Sequence, residues 1–468
     1  MSVALSTGTD RSYRQRLAAL SLAMLLPSLG TSIANVALPT LAVSFDAPFA
    51  DVQWVVISYL LAVTTLIVGA GRLGDMLGKR RMLLAGIAIF AVASAGGMIA
   101  TNLWVLVAAR ALQGAGAAFM MALTVAAVGD MVPKERTGSA MGLLGTVSAA
   151  GTALGPTLGG ALISWFGWPA VFAFMTGAAV LALVFAHQVL PGDAQAERKK
   201  FSFDVAGMAL LAISLGAGAL ATTLGGAASG QSIAMLAAVS LLSFVMFVMI
   251  EKRAAVPLVQ LKLLRDGTLT AGLLSMVLVS AIMMATLVVG PFYLSGVLGL
   301  QPVETGMVMS IGPGVAALTG VPAGRLVDRL GSTRVVFIGL GFVAIGSILM
   351  VFIPGTFGVG GYVGGLALIT FGYALYQAAN NTAVMNGAAK DLRGVISALL
   401  GLSRNLGLIF GASAMGALFA LGARSAGAAS QSSGGQAGLQ LTFSVAAAIA
   451  ALALAIAFWG SRQGKKEG

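Results

Sequence analysis

The sequence predicts an all-α polytopic membrane protein, and three observations carry that reading: its composition, the length of its apolar runs and the placement of its basic residues. Of 468 residues, 58% are hydrophobic and 9% charged. A soluble domain carries about 25% charged residues, so this chain lacks the means to cover a water-facing surface. In hydrocarbon every backbone polar group needs a partner within the chain, which leaves helices and closed barrels. The apolar runs here are continuous over about 20 residues rather than alternating over about ten, and that selects helices.

Fourteen such runs are expected, at 17–38, 52–71, 82–101, 104–129, 138–164 and 169–189, then 205–225 and 232–250, then 269–298, 303–327, 334–353, 360–386, 394–422 and 440–459. The first follows a basic segment, MSVALSTGTDRSYRQR, and is too long for the apolar core of a signal peptide, so it is read as a retained span. The Gly/Ser/Ala-rich stretch at 423–440 is read as a flexible loop.

Lys and Arg collect in short cytoplasmic loops. With the N-terminus inside, all 27 basic residues except Arg110, Arg404 and Arg424 fall in cytoplasmic segments. An odd number of spans would break that alternation. Both termini are therefore expected in the cytoplasm of a plasma membrane (for a bacterium, the inner membrane), and the net charge of +12 needs no nucleic-acid partner. There is no cysteine and one histidine, which excludes thiolate chemistry and argues against a histidine metal site or catalytic dyad. No cofactor or metal is expected. With no ATP-binding motif in the chain, any driving force is a gradient.

An internal repeat organises the spans. GRLGDMLGKRR at 71–81 returns as GRLVDRLGSTR at 324–334, an offset longer than six short-looped spans require. The excess matches the pair at 205–250. The expected organisation is a six-helix bundle at 1–189, a linker with two additional spans at 190–268, and a second six-helix bundle at 269–468.

Four motifs then carry a family resemblance. GRLGDMLGKRR resembles the cytoplasmic signature loop of the major facilitator superfamily, with Met76 where that pattern usually has Arg. RALQGAGAA at 110–118 resembles the superfamily's fourth-helix signature. GTALGPTLGG at 151–160 resembles the fifth-helix signature of its antiporters. NVALPTLAVSF followed by DVQWVVISYLLA is similar to the first two spans of fourteen-spanner drug:H+ antiporters of the EmrB/QacA type. The resemblance implies the major facilitator fold, two six-helix halves plus two inserted helices. It further implies a secondary transporter exporting small amphiphiles across the plasma membrane by alternating access, with protons as a coupling partner. Uptake, facilitated passage or lipid flipping on the same scaffold are alternatives. A membrane-embedded enzyme is not expected, because no cluster of intramembrane nucleophiles or acids is present. The expected partners are a small-molecule substrate and the lipid bilayer, with the chain a monomer and not an enzyme.

The motifs nominate residues. By resemblance, Gly71, Asp75, Gly78 and Arg80, with Arg325 and Asp328 in the second copy, latch the cytoplasmic side; a solvated, topology-setting charge cluster is the alternative. Gly151, Gly155, Pro156, Gly159 and Gly160 give the fifth span a face with almost no side-chain bulk, suited to close helix approach. Generic small-residue packing would look the same. The resemblance assigns this segment to sealing the halves. In the twelfth span Tyr373, Tyr376, Gln377, Asn380 and Asn381 are spaced 3, 1, 3 and 1, a polar stripe that does not belong against lipid. It serves either as interhelical glue or as a cavity wall. Met120, Met121 and Thr124, with Met283 and Met284, would add an adaptable apolar wall or ordinary packing.

The resembled subfamily typically has Asp in the first span where this sequence has Gly30. No Asp or Glu replaces it near the middle of any span. Arg110 and Arg404 do lie within spans, at a cost of about 2.5–3.5 kcal/mol each at a helix centre. Each is read as either facing a wet cavity or bound to backbone carbonyls, with Asn35 a candidate partner of Arg110, and Asn35, Gln113 and both arginines are candidate residues of the substrate cavity. A cavity holding one or two Arg and no carboxylate favours neutral or anionic amphiphiles over cations. Proton coupling, if present, must use Asp51, Asp75, Asp130, His187 or the substrate itself.

Overall fold

A computed structural model describes residues 2–131, 137–193, 205–223, 230–253, 263, 266–386, 393–425 and 431–467. The first group of helices comprises α1 (Ser2–Ser44), the short α2 (Phe49–Val52), α3 (Trp54–Leu77), α4 (Lys79–Met98), α5 (Leu103–Met131), α6 (Thr137–Phe166) and α7 (Pro169–Val189). Two more follow, α8 (Val205–Thr223) and α9 (Gly230–Arg253). The second group comprises α10 (Gly267–Gly296), α11 (Pro302–Leu330), α12 (Ser332–Phe352), α13 (Pro354–Asn386), α14 (Arg393–Phe410), a π turn at Gly411–Met415, α15 (Gly416–Ser425) and α16 (Gln431–Glu467). The turn makes α14 and α15 one interrupted span. Among the described residues, 13 helices are long and apolar enough to cross a membrane. The predicted fifth span is α6, 30 residues long and less apolar because Gly, Ser and Thr occupy many of its positions.

Local sequence explains many of the ends. Pro169 opens α7 and Pro302 opens α11, where a missing N–H costs nothing and φ is already helical. The Asp266 carboxylate accepts from the backbone N–H of Thr268 and Leu269 at 2.8 and 3.1 Å, capping α10. Glu304, an acid at the start of α11, accepts from the Gln301 N–H at 2.9 Å. Gly358, with φ of 56°, interrupts α13 near its start, so most of the predicted twelfth span is helix beyond that kink.

The repeat is visible in the backbone. Gly78 ends α3 with φ 101° and ψ 129°, and Gly331 ends α11 with φ 82° and ψ 150°. Both copies therefore turn the chain through a left-handed residue that favours glycine.

The two groups meet at one end, which carries residues 45–53, 164–168 and 297–303. There the Phe49 ring lies 4.4 Å from Phe292 and 5.3 Å from Phe419. The Thr157 hydroxyl and backbone N–H share Ser310 Oγ at 2.6 and 3.0 Å, and the Val303 N–H donates to Ser164 Oγ at 3.0 Å. Toward the opposite end, which carries the two repeats, α6 and α11 open. Gly306 and Gly320 lie on similar faces of α11, yet a Cβ at Gly306 would sit 2.2 Å from the Pro156 carbonyl oxygen and one at Gly320 would meet nothing within 4 Å. The same holds for Gly145 on α6. The groups thus form a cleft, closed at the first end and open toward the repeats.

The expectation of a flexible loop through 423–440 needs correction. From Gln431 the chain is helical, and its small residues are packing positions. A Cβ at Gly438 would fall 2.6 Å from the Phe419 carbonyl oxygen, and Gln436 Oε1 accepts from Tyr293 Oη at 2.9 Å. Low hydropathy here reflects close helix approach rather than solvent.

Candidate functional site

Arg110 on α5 is the best-satisfied charge inside the helices. Only 1% exposed, it donates from Nε to the Val55 carbonyl at 2.9 Å and from Nη2 to the Gly30 carbonyl at 3.0 Å. Nη1 donates to Gln113 Oε1, and Gln113 Nε2 passes the chain on to Ser94 Oγ at 2.7 Å. The guanidinium also lies 4.2 Å from the centre of the Tyr59 ring, whose hydroxyl donates to the Pro27 carbonyl at 2.8 Å. Arg110 thereby ties α1, α3 and α5 together. The carbonyl alternative is the one the structure supports in this conformation. Asn35 is not its partner: fully buried, it donates to the Thr31 carbonyl at 3.1 Å and leaves Oδ1 unpaired.

Gly30, the position of the missing carboxylate, faces the interior of the first group. A Cβ there would lie 3.3 Å from Met175 and from Tyr59 Oη. Its backbone carbonyl supplies Arg110 with the acceptor that an acid at this site would offer.

The predicted cavity residues divide by burial. Asn35, Arg110, Gln113, Met120 and Thr124 are packed within the first group, and Tyr376 and Asn380 are packed against α10. Tyr376 Oη donates to Ser275 Oγ at 3.0 Å, and Asn380 Nδ2 to the Gly272 carbonyl at 3.1 Å. Tyr373, Gln377 and Asn381 form the neighbouring four-residue row on α13 and are half-buried. Asn381 Oδ1 has no hydrogen-bond partner among the described residues. Arg404 on α14 is also half-buried, and its charge lies within interaction range of Tyr373. Among the described residues it has no hydrogen-bonded or ion-paired partner. The stripe read from the sequence is therefore two rows: one glues α13 to α10, and the other is half-buried, with Tyr373 within electrostatic range of Arg404.

The glycine face of α6 divides similarly. Cβ atoms at Gly151, Gly155 and Gly159 would lie 2.9 Å from the Leu25 carbonyl oxygen, 2.0 Å from Ser32 Oγ and 2.9 Å from Ile33, all on α1. Gly160 faces the second group, where an added Cβ would lie 2.4 Å from the Pro302 carbonyl oxygen, beside the Pro156–Gly306 approach. Three glycines serve packing within the first group. Pro156 and Gly160 lie against the second group.

At the repeat end, Asp75 is exposed and pairs with Lys79 at 3.6 Å. Arg80 donates from Nη2 to the His187 carbonyl at 2.7 Å. The sequence reading missed Asp193, whose carboxylate accepts from the Arg80 and Arg81 backbone N–H at 2.8 and 3.1 Å, capping the start of α4. Its position in a polar linker gave no signal of that role. In the second copy Arg325 and Asp328 are exposed and make no ion pair among the described residues. Gly71 has open space around it. The Asp130 side chain lies outside the described residues.

Two six-helix groups that meet at one end, built of helices long and apolar enough to cross a membrane, are the architecture of a multi-pass membrane transporter. The chain belongs to the Major Facilitator Superfamily, whose profile matches residues 20–412. It is 28% identical over 397 residues to the riboflavin transporter RibZ of Clostridioides difficile, covering 84% of this chain and 86% of that one. It is 29% identical over 409 residues to the multidrug efflux pump LfrA of Mycolicibacterium smegmatis, covering 86% and 80%. Its fold matches an inward-facing bacterial homologue of the human lysosomal transporter Spinster, with a TM-score of 0.72 at 15% identity over 97% of both chains.

Proposed function

We propose that this transporter exports small neutral or anionic amphiphiles by alternating access. It would do so as a fourteen-span member of the EmrB/QacA-type group in a bacterial inner membrane, with both termini cytoplasmic. Names among its relatives, a multidrug efflux pump and a riboflavin transporter, support the substrate class. The basic residues orient the repeat end to the cytoplasm. On that orientation the cleft faces inward.

The observation that carries the charge preference is Arg404. It stands half-buried within electrostatic range of Tyr373, with no hydrogen-bonded or ion-paired partner among the described residues, while no Asp or Glu occupies the middle of any span. A low-dielectric cleft with one fixed positive charge attracts anions and repels cations. Arg110 keeps its charge, but it is enclosed within the first group with its donors taken by carbonyls and Gln113, so it does not meet the ligand directly. Tyr373, Gln377 and Asn381 then supply hydrogen bonds to the bound amphiphile. Protons are a second partner in this reading, carried by Asp51, Asp75, Asp130, His187 or an acidic group on the substrate.

The test is transport by purified protein in liposomes, with and without an imposed pH gradient, using an anionic and a cationic dye in competition. Preferential movement of the anion is expected, and preference for the cation overturns the proposal.

A further inference from the structure

A second cavity, of 370 Å³, lies away from the cleft at the closed end, where three parts of the chain converge. The first group contributes Phe49 and Gln53, the inserted helix α8 contributes Thr222 and Thr223, and the second group contributes the stretch from Ala414 to Arg424 across the π turn and α15. One of its polar atoms is buried and unsatisfied, and one of its charges is unpaired among the described residues. Gln53 is 1% exposed and its Oε1 is buried without a hydrogen-bond partner among the described residues, which costs about 1–3 kcal/mol. Arg424 is exposed and makes no ion pair among the described residues. The threonine hydroxyls are already engaged with the Ala219 carbonyl, and Thr223 also accepts from Trp54 Nε1 at 3.3 Å. The remaining wall is apolar, from Phe49, Ala417, Leu418 and Leu421. Its volume falls in the range of small-molecule pockets. π turns recur at functional sites, and this one shapes a wall.

We propose that this cavity binds a small acid carrying a hydrogen-bond donor and a short apolar body, and that the bound acid acts as a clamp. The anion pairs with Arg424, the donor satisfies Gln53 Oε1, and the apolar body lies against Phe49 and Leu418. Because the walls come from both groups, the complete site exists only while this end is closed. Its ligand therefore stabilises the closed-end conformation and slows turnover. That kinetic consequence rests on the alternating-access reading; the binding itself does not.

The probe is N-dansyl-leucine, titrated by fluorescence against the full chain in phosphatidylcholine nanodiscs, with its methyl ester as the uncharged control. Arg424→Gln is expected to weaken binding about tenfold, the loss of one charge-assisted bond. Gln53→Leu is expected to weaken it several-fold while leaving thermal stability unchanged or raised, which separates a ligand contact from misfolding. Because the probe is itself an anionic amphiphile of the class proposed for the cleft, binding at this cavity is scored as the component that survives Arg404→Gln, and Ala417→Trp, which fills the cavity, should abolish that component. Replacing phosphatidylcholine by phosphatidylglycerol assigns the natural occupant: competition marks a lipid headgroup, none marks a free acid, and either supports the site. Equal affinity for the ester, or binding lost with Arg404→Gln but retained with Arg424→Gln and Ala417→Trp, overturns it. In liposomes the probe should inhibit transport with a non-competitive component that Ala417→Trp removes. Binding without inhibition would retain the site and overturn the clamp.

Discussion

Replacing Arg110 with methionine separates a structural arginine from a substrate-binding one. The guanidinium bonds the Val55 and Gly30 carbonyls at 2.9 and 3.0 Å, holds Gln113 Oε1 and stacks 4.2 Å above Tyr59. Methionine fills much of the space but strands the buried Gln113 oxygen, at about 1–3 kcal/mol. It also removes a desolvated cation–π contact of up to about 2 kcal/mol. A loss of about 3 kcal/mol follows, read as a melting temperature lowered by several degrees in nanodiscs. Ser94 Oγ also donates to the Phe90 carbonyl at 2.7 Å, so it tolerates the loss of Gln113. The double variant Arg110→Met/Gln113→Leu should therefore recover about 2 kcal/mol relative to the sum of the singles. Surviving protein should keep the wild-type preference between anionic and neutral substrates. Unchanged stability with an altered charge preference would refute the reasoning, as would additivity in the double variant.

Other expectations follow from close approaches. Gly160→Val places a branched side chain where even a Cβ alone would lie 2.4 Å from the Pro302 carbonyl oxygen. The closed end should part, seen as a longer spin-label distance between the outer ends of α6 and α11; an unchanged distance contradicts the seal. Gly78→Ala strains a φ of 101° and drives a Cβ to 2.2 Å from Asp193 Oδ2, threatening a cap of about 0.5–2 kcal/mol. Gly331→Ala strains a φ of 82° with nothing within 4 Å, so it should cost less stability and transport than its counterpart. Equal losses would show that the Asp193 contact is idle.

Much of this fold was legible in the sequence because the bilayer imposes a simple rule: long apolar runs become helices and basic residues mark one side. The repeat at 71–81 and 324–334 was legible because both copies need glycine at one left-handed turn. What was obscured follows from the same physics. In the Gln431–Gln440 stretch small residues meant helix contact, and low hydropathy imitated a loop. The five-residue stripe on α13 looked like one face, because a spacing of 3 and 1 also describes two adjacent rows. Arg110 could not be separated from Arg404 by depth alone. The carbonyls of Val55 and Gly30 that occupy the first, and the open side of the second, are set by neighbouring helices. Asp193 and Gln53 carried no signal, since their roles come from elements distant in the chain.

The charge preference of the cleft is tested most directly by measuring anion-to-cation transport ratios in liposomes for the wild type and for Arg404→Gln. The wild type should favour the anion. Removing one unit charge near the substrate, worth about 1.4 kcal/mol for a tenfold effect, should bring the ratio about tenfold toward the cation with stability preserved. A wild type that favours the cation, or a ratio unmoved by Arg404→Gln, would contradict the account.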